Sequence, residues 1–467
     1  MRLTLLIITL LFCSFISAQD STSVISLSEY LGYVKSFHPI VKQANLVINE
    51  SEAKLMKARG AFDPKIEIDY NQKTFKDTEY YNKLNATFKI PTWYGIEFKG
   101  NFEENTGDYL NPESKVPEDG LYSAGVSLSL AQGLLINKRM AMLKQAKSYV
   151  NQAKADRQIL INNILYSATR SYFEWLKTYN EKRVYEEFLQ NAQTRFQGVK
   201  KSFELGEMPA IDTIEARITL NDRRLNLEKS KIKFIKSSLE LSNYLWLDEN
   251  TPVEIKDNII PDINTFETVD NILNTSKLDI ENIDISNHPK MQSLDYKLQA
   301  LTIEKRLSLN NLLPKIDVQY NFLSQTPEVS RSFSTSAYKS GLNVSIPLFL
   351  RKERADLKLA HLKMQDAEFE IQTTSVSLTN KINAISKELE SYILQNDYTN
   401  IIVGDYEQML SAEERKFFLG ESSLFLVNSR ESKLIDAKLK AIELENNFFN
   451  TKANLFNILA ISDIDSN

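Results

Sequence analysis

Two periodicities divide the chain. Apolar and polar residues alternate at Ile66, Ile68 and Tyr70, at Ile96, Phe98 and Phe102, and from Tyr122 through Ala124, Val126, Leu128 and Leu130. The alternation returns at Ile316, Val318 and Tyr320, and again at Leu342, Val344 and Ile346. A period of two predicts strands with one apolar and one polar face. Elsewhere the period is helical. Tyr185, Leu189, Ala192, Phe196, Val199 and Phe203 step alternately by four and three, a coiled-coil-like stripe along one side of a helix. Ile218, Leu225, Ile232 and Leu239 recur every seventh residue.

Glycine and proline, with 13 and 12 copies, punctuate this pattern. Neither occurs between Leu134 and Gln197, between Ala210 and Thr251, between Leu348 and Val403, or from Glu421 onward. Four uninterrupted stretches rich in Leu, Lys, Glu, Ala and Gln predict long helices. The first would extend about 90 Å at 1.5 Å per residue. Short turns join them in pairs, one running from Phe203 to Asp212 and the other from Phe418 to Leu424. Gly206 and Gly420 suit the left-handed position that ends a helix. Pro209 suits the first turn of the next helix, and Ser422 or Ser423 can cap the second return. The expectation is two antiparallel helical hairpins with tips near 207 and 421.

The whole pattern occurs twice. Pro64 to Asn71 reads PKIEIDYN, and Pro314 to Asn321 reads PKIDVQYN, 250 positions later. Each octet follows a His-Pro pair, His38-Pro39 or His288-Pro289, by the same 25 residues. Duplication at a fixed offset means that one structural unit is used twice. The expected division is a first repeat over 19–249, with strands within 64–132, and a second repeat over 286–467, with strands within 314–347. Residues 250–285, with Pro252, Pro261 and a short helical run from Thr265 to Leu273, form a linker packed on the outside of the helices.

Composition narrows the function. Across 467 residues the formal charge is −5, with no basic surplus to attract nucleic acid. Residues 1–18 have a positive start, a short apolar run and a small-residue cleavage site, which predicts an exported protein with a signal peptide. Cys13, the single cysteine, lies within that run, so no disulfide or thiolate ligand is expected. Of three histidines, His38 and His288 stand at equivalent helix starts and read as structural, while His361 stands alone. No metal-ligand spacing, phosphate loop or nucleophile motif occurs. Neither enzyme activity nor a cofactor is expected.

The strands limit the architecture. The first repeat has room for two to four and the second for two, with Tyr80, Tyr81, Trp93, Tyr94 and Tyr338 near their ends. Aromatics so placed suit the interfaces of a membrane barrel. Four to six strands cannot close such a barrel, which takes at least about eight. An open edge in lipid would leave backbone groups unsatisfied. Strands that enter a membrane must therefore be pooled among several copies.

Taken together, these parts resemble the TolC-like outer-membrane efflux proteins. The resemblance rests on both His-Pro pairs and Leu313-Pro314, then on Ile346-Pro347-Leu348-Phe349 followed by Arg354-Ala355. A looser copy of the latter is Gln132-Gly133-Leu134-Leu135 with Arg139, and the two hairpin tips complete the set. It implies a mainly α fold with a β-barrel part: a trimeric α-barrel tunnel joined to a shared barrel in the outer membrane of a Gram-negative bacterium. The helices would cross the periplasm. Each copy of the homotrimer would give four strands to a twelve-stranded barrel in lipid, with the extra length of the first strand region as an extracellular loop. Eighteen strands is the alternative.

The implied function is the passive exit duct of a tripartite efflux or type I secretion system, gated at the tips. Gly206, Glu207, Met208, Pro209, Gly420, Glu421, Ser422 and Ser423 would dock a periplasmic adaptor, and through it an inner-membrane pump. Met208, Pro209, Leu424 and Phe425 are expected to be exposed there. Relatives narrow the mouth with aspartates six and nine residues after the second tip glycine; here those positions are Leu426 and Ser429. Asp212 and Glu215, six and nine after Gly206, share a helix face and are the candidate constriction. The competing reading is an exported coiled-coil stalk or adhesive protein, which leaves the amphipathic strands unexplained.

Overall fold

The computed structural model describes residues 23–275, 283–327 and 334–460. The expected signal peptide with Cys13 lies outside the described residues, as do linker residues 276–282. In chain order the elements begin with β1 (Ser23–Ile25), α1 (Leu27–Phe37), α2 (Pro39–Arg59), β2 (Lys65–Phe75), β3 (Thr78–Pro91), β4 (Ile96–Thr106) and β5 (Leu121–Ala131). The first helical hairpin is α3 (Lys138–Glu204) and α4 (Ala210–Ser242). Then come β6 (Trp246–Leu247), β7 (Thr251–Pro252), β8 (Ile259–Pro261) and α5 (Thr265–Ile272). The second repeat gives α6 (Pro289–Asn310), β9 (Lys315–Ser324), β10 (Tyr338–Ser345), α7 (Arg351–Phe418) and α8 (Leu424–Leu459).

The two His-Pro pairs act alike. His38 Nδ1 accepts the Ile40 N–H at 3.2 Å, and His288 Nδ1 accepts the Lys290 N–H at 3.0 Å. Each imidazole thus satisfies an orphan donor in the first turn of a helix that begins at proline. Burial lowers the His38 pKa, which keeps the ring neutral and able to accept that bond.

The chain forms two compact units that do not coincide with the repeats, since each draws on both. One takes in the described residues of 45–157 and 286–376. Among them lies a single six-stranded sheet in the order β10-β9-β5-β4-β3-β2, with every neighbouring pair antiparallel. The four strands favoured from sequence become six. β3 and β4 are staves of the sheet, not an excursion. The β2–β3 connection is a two-residue turn at Lys76 and Asp77, both with positive φ, the conformation that matches the strands' twist. A register shift next to Lys73 and Thr74 interrupts the alternation of β3. Leu84, Ala86, Phe88 and Ile90 nevertheless keep the period of two.

The other unit takes in the described residues of 1–44, 158–285 and 377–467. Its core joins Tyr30 and Leu31 of α1 to Tyr172, Phe173 and Trp175 of α3, and to Phe449 and Phe456 of α8. Val269 of α5 and Leu273 are fully buried in the same cluster, so the linker helix docks into the helical core. β1 pairs in parallel with β8, tying the start of the described chain to the linker. Two smaller clusters continue toward the hairpin tips. One is Val184 and Phe188 with Val427 and Leu434, and the other is Val199, Ala216 and Leu424.

Candidate functional site

In the sheet, the register sorts side chains by polarity. One row of partners runs Ile66, Phe88, Gly100, Ala124, Phe322 and Tyr338 across all six strands. A neighbouring row on the same face runs Ile90, Phe98, Val126 and Tyr320. One residue along, the opposite face carries Glu67, Thr87, Asn101 and Ser123 in register. Hydrogen bonds organise this polar face: Thr87 Oγ1 donates to Asn101 Oδ1 at 2.7 Å, and Ser129 Oγ to Asp317 Oδ1 at 2.7 Å. Arg139, at the start of α3, pairs with Glu97 of β4 at 2.7 Å. Ile66, Ile68, Phe98, Leu342 and Val344 on the apolar face are exposed. An apolar face of this extent needs an apolar surrounding.

Aromatics mark both ends of the sheet. Tyr80 stacks on Tyr109 at 4.5 Å at the end away from the helices, and Trp93 stacks on Phe62 at 5.7 Å at the helix-joined end. Among the described residues no helix is long and apolar enough to cross a membrane.

At the hairpin tips, the same local chemistry ends both rising helices. Gly206 has φ 79° and Gly420 φ 78°. The Glu207 N–H reaches the Ser202 carbonyl and the Glu421 N–H the Lys416 carbonyl, each at 2.9 Å. This is the six-to-one bond of a Schellman ending, with glycine at its left-handed position. Ser423 is the N-cap of α8, accepting the Leu426 N–H, while Ser422 Oγ donates to Glu413 Oε1 at 2.5 Å. Pro209 takes the N-cap of α4, one place before the first-turn position read from sequence.

Exposure at the tips differs from expectation in two residues. Leu424 is only 2% exposed and joins the core with Val199, and Met208 is half-buried against the same cluster. Pro209 and Phe425 are exposed, as are Leu205, Phe418 and Leu419, which the sequence reading did not single out. A groove of about 680 Å³ lies between the hairpins, with Gly198, Val199, Met208, Phe417 and Phe418 in its walls.

Two further residues of the groove's walls, Arg195 and Glu414, belong to a charged network that the sequence did not reveal. Glu431 of α8 is fully buried. Its Oε1 accepts from Arg223 Nε of α4 at 3.3 Å, and its Oε2 lies 2.5 Å from Arg195 Nη2 of α3. The second contact is a close charge pair without hydrogen-bond alignment. Arg195 also bonds Glu414 of α7 at 3.1 Å and Asn428 at 3.3 Å. Asn428 in turn donates to Glu215 Oε1 at 2.9 Å. The two hairpins are therefore tied by one connected set of charges. Glu215 is part of this tie, whereas Asp212 is half-buried one turn nearer the tip, and the two are not brought together in one interaction.

A family model described as outer membrane efflux protein matches residues 36–245 and 284–460. No curated protein matches the chain. Among solved structures, the CmeC outer membrane channel of Campylobacter jejuni is 14% identical, with 94% of this chain and 87% of that chain covered and a TM-score of 0.65. The outer membrane protein VceC of Vibrio cholerae is 12% identical, with 93% and 96% covered and a TM-score of 0.65. The open state of the Neisseria gonorrhoeae MtrE outer membrane channel is 11% identical, with 94% and 90% covered and a TM-score of 0.63. At these identities the likeness is one of fold.

Proposed function

Because this chain belongs to the outer membrane efflux protein family, we propose that it works as a homotrimer whose sheets form one barrel in the outer membrane and whose helices form a periplasmic tunnel. The observation that carries this reading is the six-stranded sheet, apolar on one face and open at both edges. Five antiparallel steps separate β2 from β10, so these edge strands run in opposite directions. β10 of one copy can then pair antiparallel with β2 of the next, and the ring closes without an unpaired edge. Three copies of six strands make eighteen, an even number within the range of bacterial barrels.

The heptad series on α4 supports the same assembly. Ile218, Leu225, Ile232 and Leu239 are 64%, 54%, 53% and 47% exposed, because α4 packs on its own chain through Ala216, Leu220 and Leu227 instead. A seven-residue apolar stripe facing outward suits a helix of a second copy.

The duct is passive. A periplasmic adaptor engages the tips around Gly206–Pro209 and Gly420–Ser423, where Phe418, Leu419 and Phe425 offer apolar surface, and an inner-membrane pump supplies the energy through it. Adaptor binding favours splayed hairpins over closed ones, a shift of populations. The Arg195–Glu431–Arg223 tie is what splaying the hairpins must break or carry along. Asp212 is left as the acidic group for a constriction, with Glu215 engaged by Asn428.

Purified assemblies in planar bilayers test this reading. Discrete conductance steps are expected, with a larger open fraction when Glu431 is replaced by Ala. Assemblies that insert yet conduct in neither form would rule the duct out.

A further inference from the structure

On the polar face of the sheet, one row of register partners reads Lys65, Lys89, Lys99, Gly125, Asn321 and Lys339. Three of its lysines are direct neighbours on β2, β3 and β4. Like charges opposite one another weaken a sheet, so fold stability does not account for the row. Carboxylates compensate it only in part. Lys89 is paired with Glu67, and Lys339 stands 3.8 Å from Glu103. Lys65 and Lys99 make no ion pair among the described residues.

The sign of this row runs against the chain as a whole, which carries −5. Its face is also the one that must look inward, because the opposite face is apolar, with Ile66, Phe88, Phe98, Val126 and Tyr338 exposed and Tyr320 and Phe322 of β9 half-buried. Lys99 borders a concavity of about 650 Å³ at the helix-joined end of this face. Charged side chains ringing a pore set which sign of ion passes, with Lys and Arg favouring anions.

Resting on the shared-barrel reading above, we propose that the lysine row is a selectivity band: it makes the barrel lumen prefer anionic solutes, such as small carboxylates and phosphate esters, over cations. The band acts by its field and holds no solute in place. Lys65 and Lys99, with no carboxylate at ion-pair distance, contribute most, although the charge of Glu67 reaches both. Lys89 and Lys339 contribute less, since Glu67 and Glu103 offset them.

The test is the reversal potential of the assembled protein in planar bilayers under a potassium chloride gradient. Wild type is compared with Lys65→Gln/Lys99→Gln and Lys65→Glu/Lys99→Glu. The expected result is a stepwise shift toward the potassium equilibrium potential, larger for the Glu pair. The shift shrinks as salt is raised, because the screening length falls from about 30 Å at 0.01 M to about 3 Å at 1 M. Conductance with the same reversal potential in all three proteins would overturn the selectivity band while leaving the duct intact. Absence of conductance in every protein would overturn the duct itself, and the band with it.

Discussion

Glu431 shows how much one side chain holds in place at the hairpin tips. Its carboxylate is shut away from water between Arg195 and Arg223, which are themselves largely buried. Removing one partner of such a set strands the others, whereas replacing the whole set by apolar groups need not. Glu431→Ala should therefore destabilise the helical unit by about 3–5 kcal/mol, seen as a lower midpoint in denaturant. A further Arg223→Leu should recover part of that loss. Full additivity of the two changes would contradict the network. None of this was legible in the sequence. Arg195 lies 236 residues from Glu431 along the chain, and each stands among other charges on a long helix. Glu215 is a candidate for the constriction because it stands three residues after Asp212 and nine after Gly206. Spacing gives a helix face, but only the neighbouring hairpin decides what that face meets, and here it meets Asn428.

At the scale of elements, local signals were the readable ones. The His-Pro starts, the glycine-terminated hairpins and the strand octets all stand where composition and period placed them, because each depends on residues a few places apart. β3 is hard to read as a stave from sequence because its turn uses Lys76 and Asp77 in place of glycine and a register shift breaks its pattern. The heptads of α4 were visible as a pattern, but their partner was not: they face away from their own chain. A double change, Leu225→Lys and Ile232→Lys, should leave the helix content by circular dichroism unchanged. The same change should shift the detergent-solubilised protein from trimer to monomer in light scattering. An undisturbed trimer would mean that the α4 stripe faces something other than another copy.

For the whole molecule, the duplication was the strongest sequence signal, and it gave the order of helices, strands and hairpins. It could not give the strand number, since the two halves differ: the first contributes four strands to the sheet and the second two. In the proposed shared barrel that asymmetry would set the bore, because barrel diameter grows roughly linearly with strand number. A trimer with six strands per copy is about half again as wide as one with four. The most direct measurement is an electron-microscopy reconstruction of the detergent-purified assembly at a resolution that separates strands. A three-fold barrel of eighteen strands, with β10 of each copy hydrogen-bonded to β2 of the next, is the predicted result. A twelve-stranded barrel with two strands of each copy outside it, or a folded monomer in which β2 and β10 remain unpaired, would contradict it.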